Sequence, residues 1–184
     1  DQRNNGAAVT IGAADVYTPD RWMVKAFQAS RLPAQQNAGS VAPPASFANY
    51  LGLTSSSAYS VLTGDFFSLQ QRIEGFNSAD LGWGTANAQA VTISFWVRSS
   101  LTGSFGASLR NNGATRSYAF SYSINAANTW EQKTVTIAGD TTGTWLPTNG
   151  IGVILSFGLG VGSTFSGAAG SWSGSNLLVP TGSV

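Results

Sequence analysis

The chain contains no cysteine and no histidine, and only 9% of its 184 residues are charged. Without cysteine it forms neither disulfide bonds nor thiolate metal sites, and without histidine it lacks the commonest general base and metal ligand. A soluble domain usually carries about a quarter of charged residues. No apolar run reaches the ~18 residues that a membrane-spanning helix requires. The surface is therefore predicted to be nearly uncharged and rich in hydroxyl and amide groups.

The charge balance excludes several classes of function. Nine basic and eight acidic residues give a net charge of +1. Nucleic acids and anionic membranes are bound by clustered Lys and Arg, so we predict neither as a partner. A glycosidase needs two carboxylates held about 5–9.5 Å apart, and the eight acids are scattered. A Ser-His-Asp triad is impossible without histidine. We therefore predict a non-enzymatic protein without a cofactor.

Alternation of apolar and polar residues dominates the sequence and predicts β-strands rather than helices. Eight segments show it: 21–27, 47–54, 66–73, 91–99, 104–110, 117–124, 129–137 and 151–161. Residues 31–44 carry a Pro43-Pro44 pair and are predicted to form a long surface loop. The chain is long enough for a sizeable core. The predicted fold is all-β, an antiparallel β-sandwich of jelly-roll type with about eight strands, in a single domain over residues 1–184.

The stretch VTISFWVRSSLTGSFGASLRN, residues 91–111, places aromatic and basic side chains opposite a predicted core face. Its apolar positions share one strand face and predict a core. The opposite face carries Trp96 and Arg98 on the first strand and Arg110 on the second. If residues 99–103 form a hairpin, these three side chains are expected to be near neighbours.

Sugar recognition combines a rigid aromatic face with planar groups that hydrogen-bond hydroxyls in pairs. The candidate carbohydrate-binding residues are Trp96, Arg98, Arg110, Asn111, Asn112, Arg116, Asp140 and Trp145. Asn111, Asn112 and Arg116 lie in the loop that follows the second strand. Asp140 and Trp145 bracket another loop, which is expected to form a second edge of the same site.

Structural alternatives exist for each candidate. Trp96 is as consistent with packing under a loop or against another subunit as with a sugar platform. Arg98 and Arg110 are more often solvated or paired with an acid such as Glu131. Trp145 and Trp172 lie in segments rich in Gly, Thr and Ser, where an exposed binding tryptophan is plausible but packing is favoured. The remaining tryptophans are interpreted as packing residues: Trp22, Trp83 and Trp130.

An ordered series of motifs resembles a module of phage tail-fibre and related virion proteins. The motifs are TPDRWMV, FSLQQRIEGFN, the stretch from VTISFWVRSS to TIAGDTTGTW, and NGIGVILSFGLGVGSTF. The resemblance covers residues 1–172. It implies a galactose-binding-like, carbohydrate-binding jelly roll that belongs to a longer virion protein, so the chain is expected to be a fragment.

The same resemblance implies a setting and partners. Such modules usually follow a trimeric stem or a structural domain and face the host cell surface, where this one is expected to bind a bacterial surface glycan. The expected partners are this glycan, other virion proteins and two further copies in a homotrimer. The resemblance leaves open a capsid decoration or head-fibre role without sugar binding. Related jelly rolls often hold a structural Ca²⁺, for which the sequence shows no acidic cluster.

Overall fold

The structure is a computed structural model, and it describes residues 6–10, 16–27 and 31–184. Within these residues the chain forms thirteen strands, of which seven have five residues or more. The strands are β1 (Val16–Tyr17), β2 (Trp22–Ala26), β3 (Ala34–Gln36), β4 (Leu51–Leu53), β5 (Phe66–Glu74), β6 (Val91–Val97), β7 (Gly103–Arg110), β8 (Ser117–Ile124), β9 (Glu131–Ile137), β10 (Ile151–Val161), β11 (Ser166–Gly167), β12 (Trp172–Ser173) and β13 (Val179–Pro180).

Helical structure in the described ranges is limited to single turns. Four 3₁₀ segments of three residues each occur, at Ala38–Ser40, Gly75–Asn77, Ala79–Leu81 and Ser163–Phe165. Across those same ranges no helix has the length and apolar character to cross a lipid bilayer. The predicted all-β class is confirmed, and each of the eight predicted segments overlaps one of the observed strands.

Most strands belong to one large sheet. Its seven strands follow the order β1-β2-β5-β10-β7-β8-β12, with antiparallel pairing throughout. Three two-stranded ribbons complete the structure: β3–β4 and β6–β9 are antiparallel, and β11–β13 is parallel. The chain is therefore an antiparallel β-sandwich, with a single parallel pair among its described strands.

The β3–β4 and β6–β9 ribbons cover one face of the large sheet. Phe95 of β6 packs edge-to-face on Tyr122 and Phe157, with ring centroids 5.1 and 5.0 Å apart. Val24 of β2 and Ala34 of β3 form the core under the other ribbon. Val24 and Phe157 belong to the same sheet face, since each pairs with Leu69 from either side. Both ribbons thus form the second layer of the sandwich.

The opposite face of the large sheet is covered by residues 163–184, which we call the C-terminal cover. Leu178 is buried, and Val179 of β13 lies over Gly106 and Gly158. A Cβ on either glycine would overlap the Val179 side chain. Polar side chains are completely buried on this face: Ser68, Gln70, Ser108, Ser117 and Ser156. Short side chains here let the cover approach the sheet closely.

The loop predicted over residues 31–44 is wrong in part. It contains β3, whose Ala34 is fully buried, and one 3₁₀ turn at Ala38–Ser40. A strand of three residues shows no recognisable alternation, so the Pro- and Gly-rich composition dominated the prediction.

Candidate functional site

The outward face of the β6–β9 ribbon, which we call the ribbon face, carries no charged side chain. Val91 pairs with Ile137 and Val97 with Glu131, so the positions between them alternate inward and outward together. The outward residues are Thr92, Ser94 and Trp96 on β6, opposite Thr136, Thr134 and Gln132 on β9. All six are exposed.

Hydrogen bonds between the two strands hold these polar side chains in place. The hydroxyls of Thr92 and Thr136 lie 3.0 Å apart. Gln132 Nε2 donates to Ser94 Oγ over 3.2 Å, and the Thr134 hydroxyl donates to the same oxygen over 3.4 Å. The ribbon face is therefore an ordered surface of hydroxyl and amide groups around one indole.

Trp96 lies on the ribbon face with part of its side chain exposed and the larger part covered by protein. It is 37% exposed. Among the described residues, its indole N–H has no hydrogen-bond acceptor and its ring contacts no other aromatic ring. The predicted outward position of Trp96 is confirmed, and part of a large amphipathic ring is exposed to solvent next to polar groups.

The other five tryptophans are engaged by the protein. Trp83, Trp145 and Trp172 pack edge-to-face on one another, with centroids 4.7 to 5.4 Å apart. The indole N–H groups of Trp83 and Trp172 donate to the carbonyls of Gln89 and Ala138.

Trp130 and Trp22 make similar contacts elsewhere. The Trp130 indole N–H donates to the Ala42 carbonyl and its ring packs on Tyr50, while the Trp22 ring lies 6.3 Å from Phe157. An exposed binding role for Trp145 and Trp172 does not fit this packing, whereas the packing interpretation of Trp22, Trp83 and Trp130 does.

Arg98 follows Trp96 by two residues and is held at one nitrogen. Its Nε donates to the Asn128 carbonyl over 2.9 Å. Asn128 adopts a left-handed φ of 59°, and its N–H donates to the Ser99 carbonyl. These two hydrogen bonds join the segment that follows β6 to the segment that precedes β9.

Glu131 does not pair with Arg98 or Arg110, contrary to the alternative that the sequence left open. Lys133 Nζ lies 2.6 Å from its carboxylate, and the backbone N–H groups of Ala126 and Asn125 donate to it. Together these donors lower the pKa of Glu131 to about 2. The Glu131 carboxylate therefore stabilises the connection between β8 and β9.

Arg110 is not a neighbour of Trp96, and the predicted hairpin is wrong. β6 pairs with β9, whereas β7 pairs with β8 and β10 in the large sheet. Arg110 lies on the sheet face that points away from the ribbon, is 7% exposed, and donates to Asn176 Oδ1 over 2.6 Å. Burial, and then the nearby charge of Arg72, lower its pKa to about 10.

All but one of the remaining predicted residues form a hydrogen-bonded loop network: Asn111, Arg116, Asp140 and Trp145. Arg116 and Asp140 make a bidentate ion pair with two distances of 2.7 Å, and the Trp145 indole N–H donates to the same carboxylate. Burial would raise the pKa of Asp140, but the Arg116 and Thr142 donors outweigh it and hold the pKa below its usual value.

Asn111 is a turn residue rather than an open ligand group. It is buried, its Oδ1 accepts from the N–H groups of Thr115 and Arg116, and its Nδ2 donates to the Thr144 carbonyl. Its neighbour Asn112 is exposed at the tip of this turn.

Two separate regions therefore replace the single predicted site. Trp96 lies opposite Gln132, five residues before the end of β9, and Asp140 follows three residues after that end. Five residues of strand span about 17 Å. The loop network consequently lies near the far end of the ribbon, and the predicted second edge of one shared site is wrong.

Two concavities lie outside the ribbon face. A groove of about 300 Å³ is lined by Tyr17, Arg21, Arg72, Glu74, Asn149, Gly150 and Ile151. Arg21 and Glu74 make an ion pair of 2.5 Å within it. A second cavity, beside Trp83 and Trp145, measures about 30 Å³. That volume holds one water molecule, not a sugar.

Gln132, Thr134 and Thr136 were missed as possible ligand contacts. The strand 129–137 was predicted, and its alternation already placed these residues on one face. What was missing was the pairing partner, because alternation does not tell which strand lies beside it. In the part of the chain that the structure describes, no three acidic residues gather into a possible metal site.

The ribbon face combines one partly exposed indole with hydroxyl and amide groups. An indole offers an apolar plane for the C–H face of a pyranose, and hydroxyl, amide and guanidinium groups surround it for the sugar hydroxyls. Comparisons with protein-family models, curated proteins and solved structures return no match for the chain.

Proposed function

We propose that the chain is a non-catalytic module of a phage virion, of the tail-fibre type, that binds carbohydrate on the bacterial surface through the ribbon face. The observation that carries the proposal is the isolated, exposed indole of Trp96 within an uncharged field of hydroxyl and amide groups. The resemblance of its ordered motifs to virion modules supports the particle setting.

The low charge of the chain fits the same role. Only 9% of the residues are charged, and the ribbon face itself carries no charged side chain. Single sugar sites bind weakly, so three copies on one stem would raise the apparent affinity by roughly 10²–10⁴ through avidity. The proposed assembly is therefore a homotrimer acting outside the cell, without a cofactor.

The test compares two single variants of the soluble domain on an array of bacterial surface polysaccharides and on bacterial cells. Trp96→Ala is expected to lower binding at least about tenfold, because exposed aromatic anchors dominate such contacts. Phe76→Ala is the control, since Phe76 is 68% exposed on a different element and is expected to leave binding unchanged. Unchanged binding by Trp96→Ala would refute the proposal.

A second candidate is a capsid decoration or structural tail module without sugar binding. It is favoured by apolar side chains exposed near one end of the large sheet. Leu62 is 63% exposed, Leu159 is 37% exposed, and Val61 lies next to Gly160. Such a group is typical of a subunit contact.

The two candidates differ in what each variant does to assembly. If the role is structural, Leu62→Ser weakens the oligomer, and Trp96→Ala changes no glycan binding because there is none. In the proposed adhesive role, Trp96→Ala removes glycan binding while the oligomer, measured by sedimentation, stays intact.

A further inference from the structure

Trp96 is the last outward residue of β6, and Arg98 lies one residue past the end of that strand. Two residues of extended chain span about 6.6 Å, so the guanidinium is within reach of a group bound at the indole. A pyranose ring is of similar width, so a sugar stacked on the indole can extend one substituent towards the guanidinium.

One nitrogen of the Arg98 guanidinium makes a hydrogen bond within the described structure, and the other two do not. Its Nε donates to the Asn128 carbonyl over 2.9 Å, which fixes the plane of the group. In the described structure Nη1 and Nη2 of Arg98 donate to no residue. These two nitrogens form the edge of a guanidinium that binds a carboxylate with two parallel hydrogen bonds.

The residues around Arg98 favour the binding of an anion. None of the outward positions of the ribbon carries an acid. The nearest acidic residue in the ladder is Glu131, opposite Val97, and its carboxylate is already bound by Lys133 and by two backbone N–H groups. A bound carboxylate would therefore meet a free donor pair and little repulsion.

We propose that the ribbon face selects sugars that carry a carboxylate, of the hexuronic acid class, with the ring stacked on Trp96 and the carboxylate bound to Nη1 and Nη2 of Arg98. This inference rests on the proposed carbohydrate binding and narrows it to acidic glycans.

The experiment uses bacterial polysaccharides that contain hexuronic acid, each beside its carboxyl-reduced form, which keeps the linkages and removes the charge. The wild-type domain is expected to bind the acidic form about tenfold more tightly, as hydrogen bonds to a charged group allow. Arg98→Gln is expected to abolish this difference. Binding of the acidic form should weaken between 50 and 500 mM salt by roughly the amount expected for one screened ion pair.

Two control variants separate charge from position and binding from folding. Arg21→Gln removes the same charge from the turn before β2 and is expected to keep the preference. Trp96→Ala is expected to lose both forms of the glycan. Thermal unfolding of all variants confirms that each one is folded.

Each outcome decides between the two proposals. Equal binding of acidic and reduced forms, or binding of neutral glycans alone, overturns the acidic preference and leaves the proposed function standing. A preference that survives in Arg98→Gln also overturns it. Absence of binding to either class overturns both proposals.

Discussion

Two faces of the sandwich carry similar polar residues and differ in what lies over them. On β6 the positions opposite the core are Thr92, Ser94 and Trp96, and the indole is open to solvent. On β7 the corresponding positions include Ser108 and Arg110, and both are buried beneath the C-terminal cover. Alternation thus assigns residues to a face, but a distant segment decides whether that face is a surface or an interior.

The loop network around Asp140, at the far end of the ribbon from Trp96, is where we expect a substitution to change the free energy of unfolding most. Asp140→Ala removes the ion-pair partner of Arg116 and leaves a largely buried guanidinium without it. Breaking such a pair typically costs about 3–5 kcal/mol, so the free energy of unfolding should fall by about 3 kcal/mol. Urea unfolding measures it. A loss below about 1 kcal/mol would show that this network is solvated like an ordinary surface pair.

Replacing each arginine by alanine compares the two faces directly. Arg110→Ala leaves Asn176 Oδ1 without its donor and removes buried side-chain volume, so we expect a loss of about 2–3 kcal/mol. Arg98→Ala removes one exposed contact and should change stability by less than about 1 kcal/mol. The same urea titration serves both variants, and equal losses would contradict the difference in burial.

Gly158→Ala tests how closely the C-terminal cover packs on the sheet. An alanine Cβ would overlap Val179, and overpacking costs about 1–3 kcal/mol. Gly174→Ala is the matched control, because nothing lies within 4 Å of its Cβ position. Thermal unfolding of the pair should show a lower Tm only for Gly158→Ala; an unchanged Tm would mean that the cover moves away freely.

Glu131→Gln should have the smallest effect, and one that depends on pH. The pKa of Glu131 is lowered from 4.5 to about 2 in the folded chain, so its contribution to stability is present above pH 4.5 and is lost as the pH falls towards 2. The variant should be less stable than wild type at pH 7 and equal to it near pH 2. A difference that persists at pH 2 would rule out this carboxylate as its source.

The strands were predictable and their partners were not. All eight predicted segments overlap an observed strand, because β-branched and aromatic residues alternate over seven or more positions in most of them. Strands of two or three residues, such as Ala34–Gln36 and Val179–Pro180, show no period and were missed. The expected hairpin between β6 and β7 failed because β6 pairs with β9 across a long connection.

The candidate site was predictable to the same extent. Trp96 was correctly placed outward, since its position follows from local alternation alone. Arg110 was misplaced, because its burial depends on Asn176 and on a cover that begins more than fifty residues later in the chain. Asp140 and Trp145 were misassigned for a related reason: composition does not reveal that a charged group is already paired.

The central claim is that the Trp96 indole is the point of contact with a glycan. Its most direct test is a titration of the ¹⁵N-labelled domain with the tightest polysaccharide fragment from the array, followed through the indole N–H resonances. We expect the Trp96 resonance to shift with saturation, while those of Trp83, Trp145 and Trp172 stay in place because their N–H groups are bonded within the protein. A static Trp96 resonance during demonstrable binding would contradict the account.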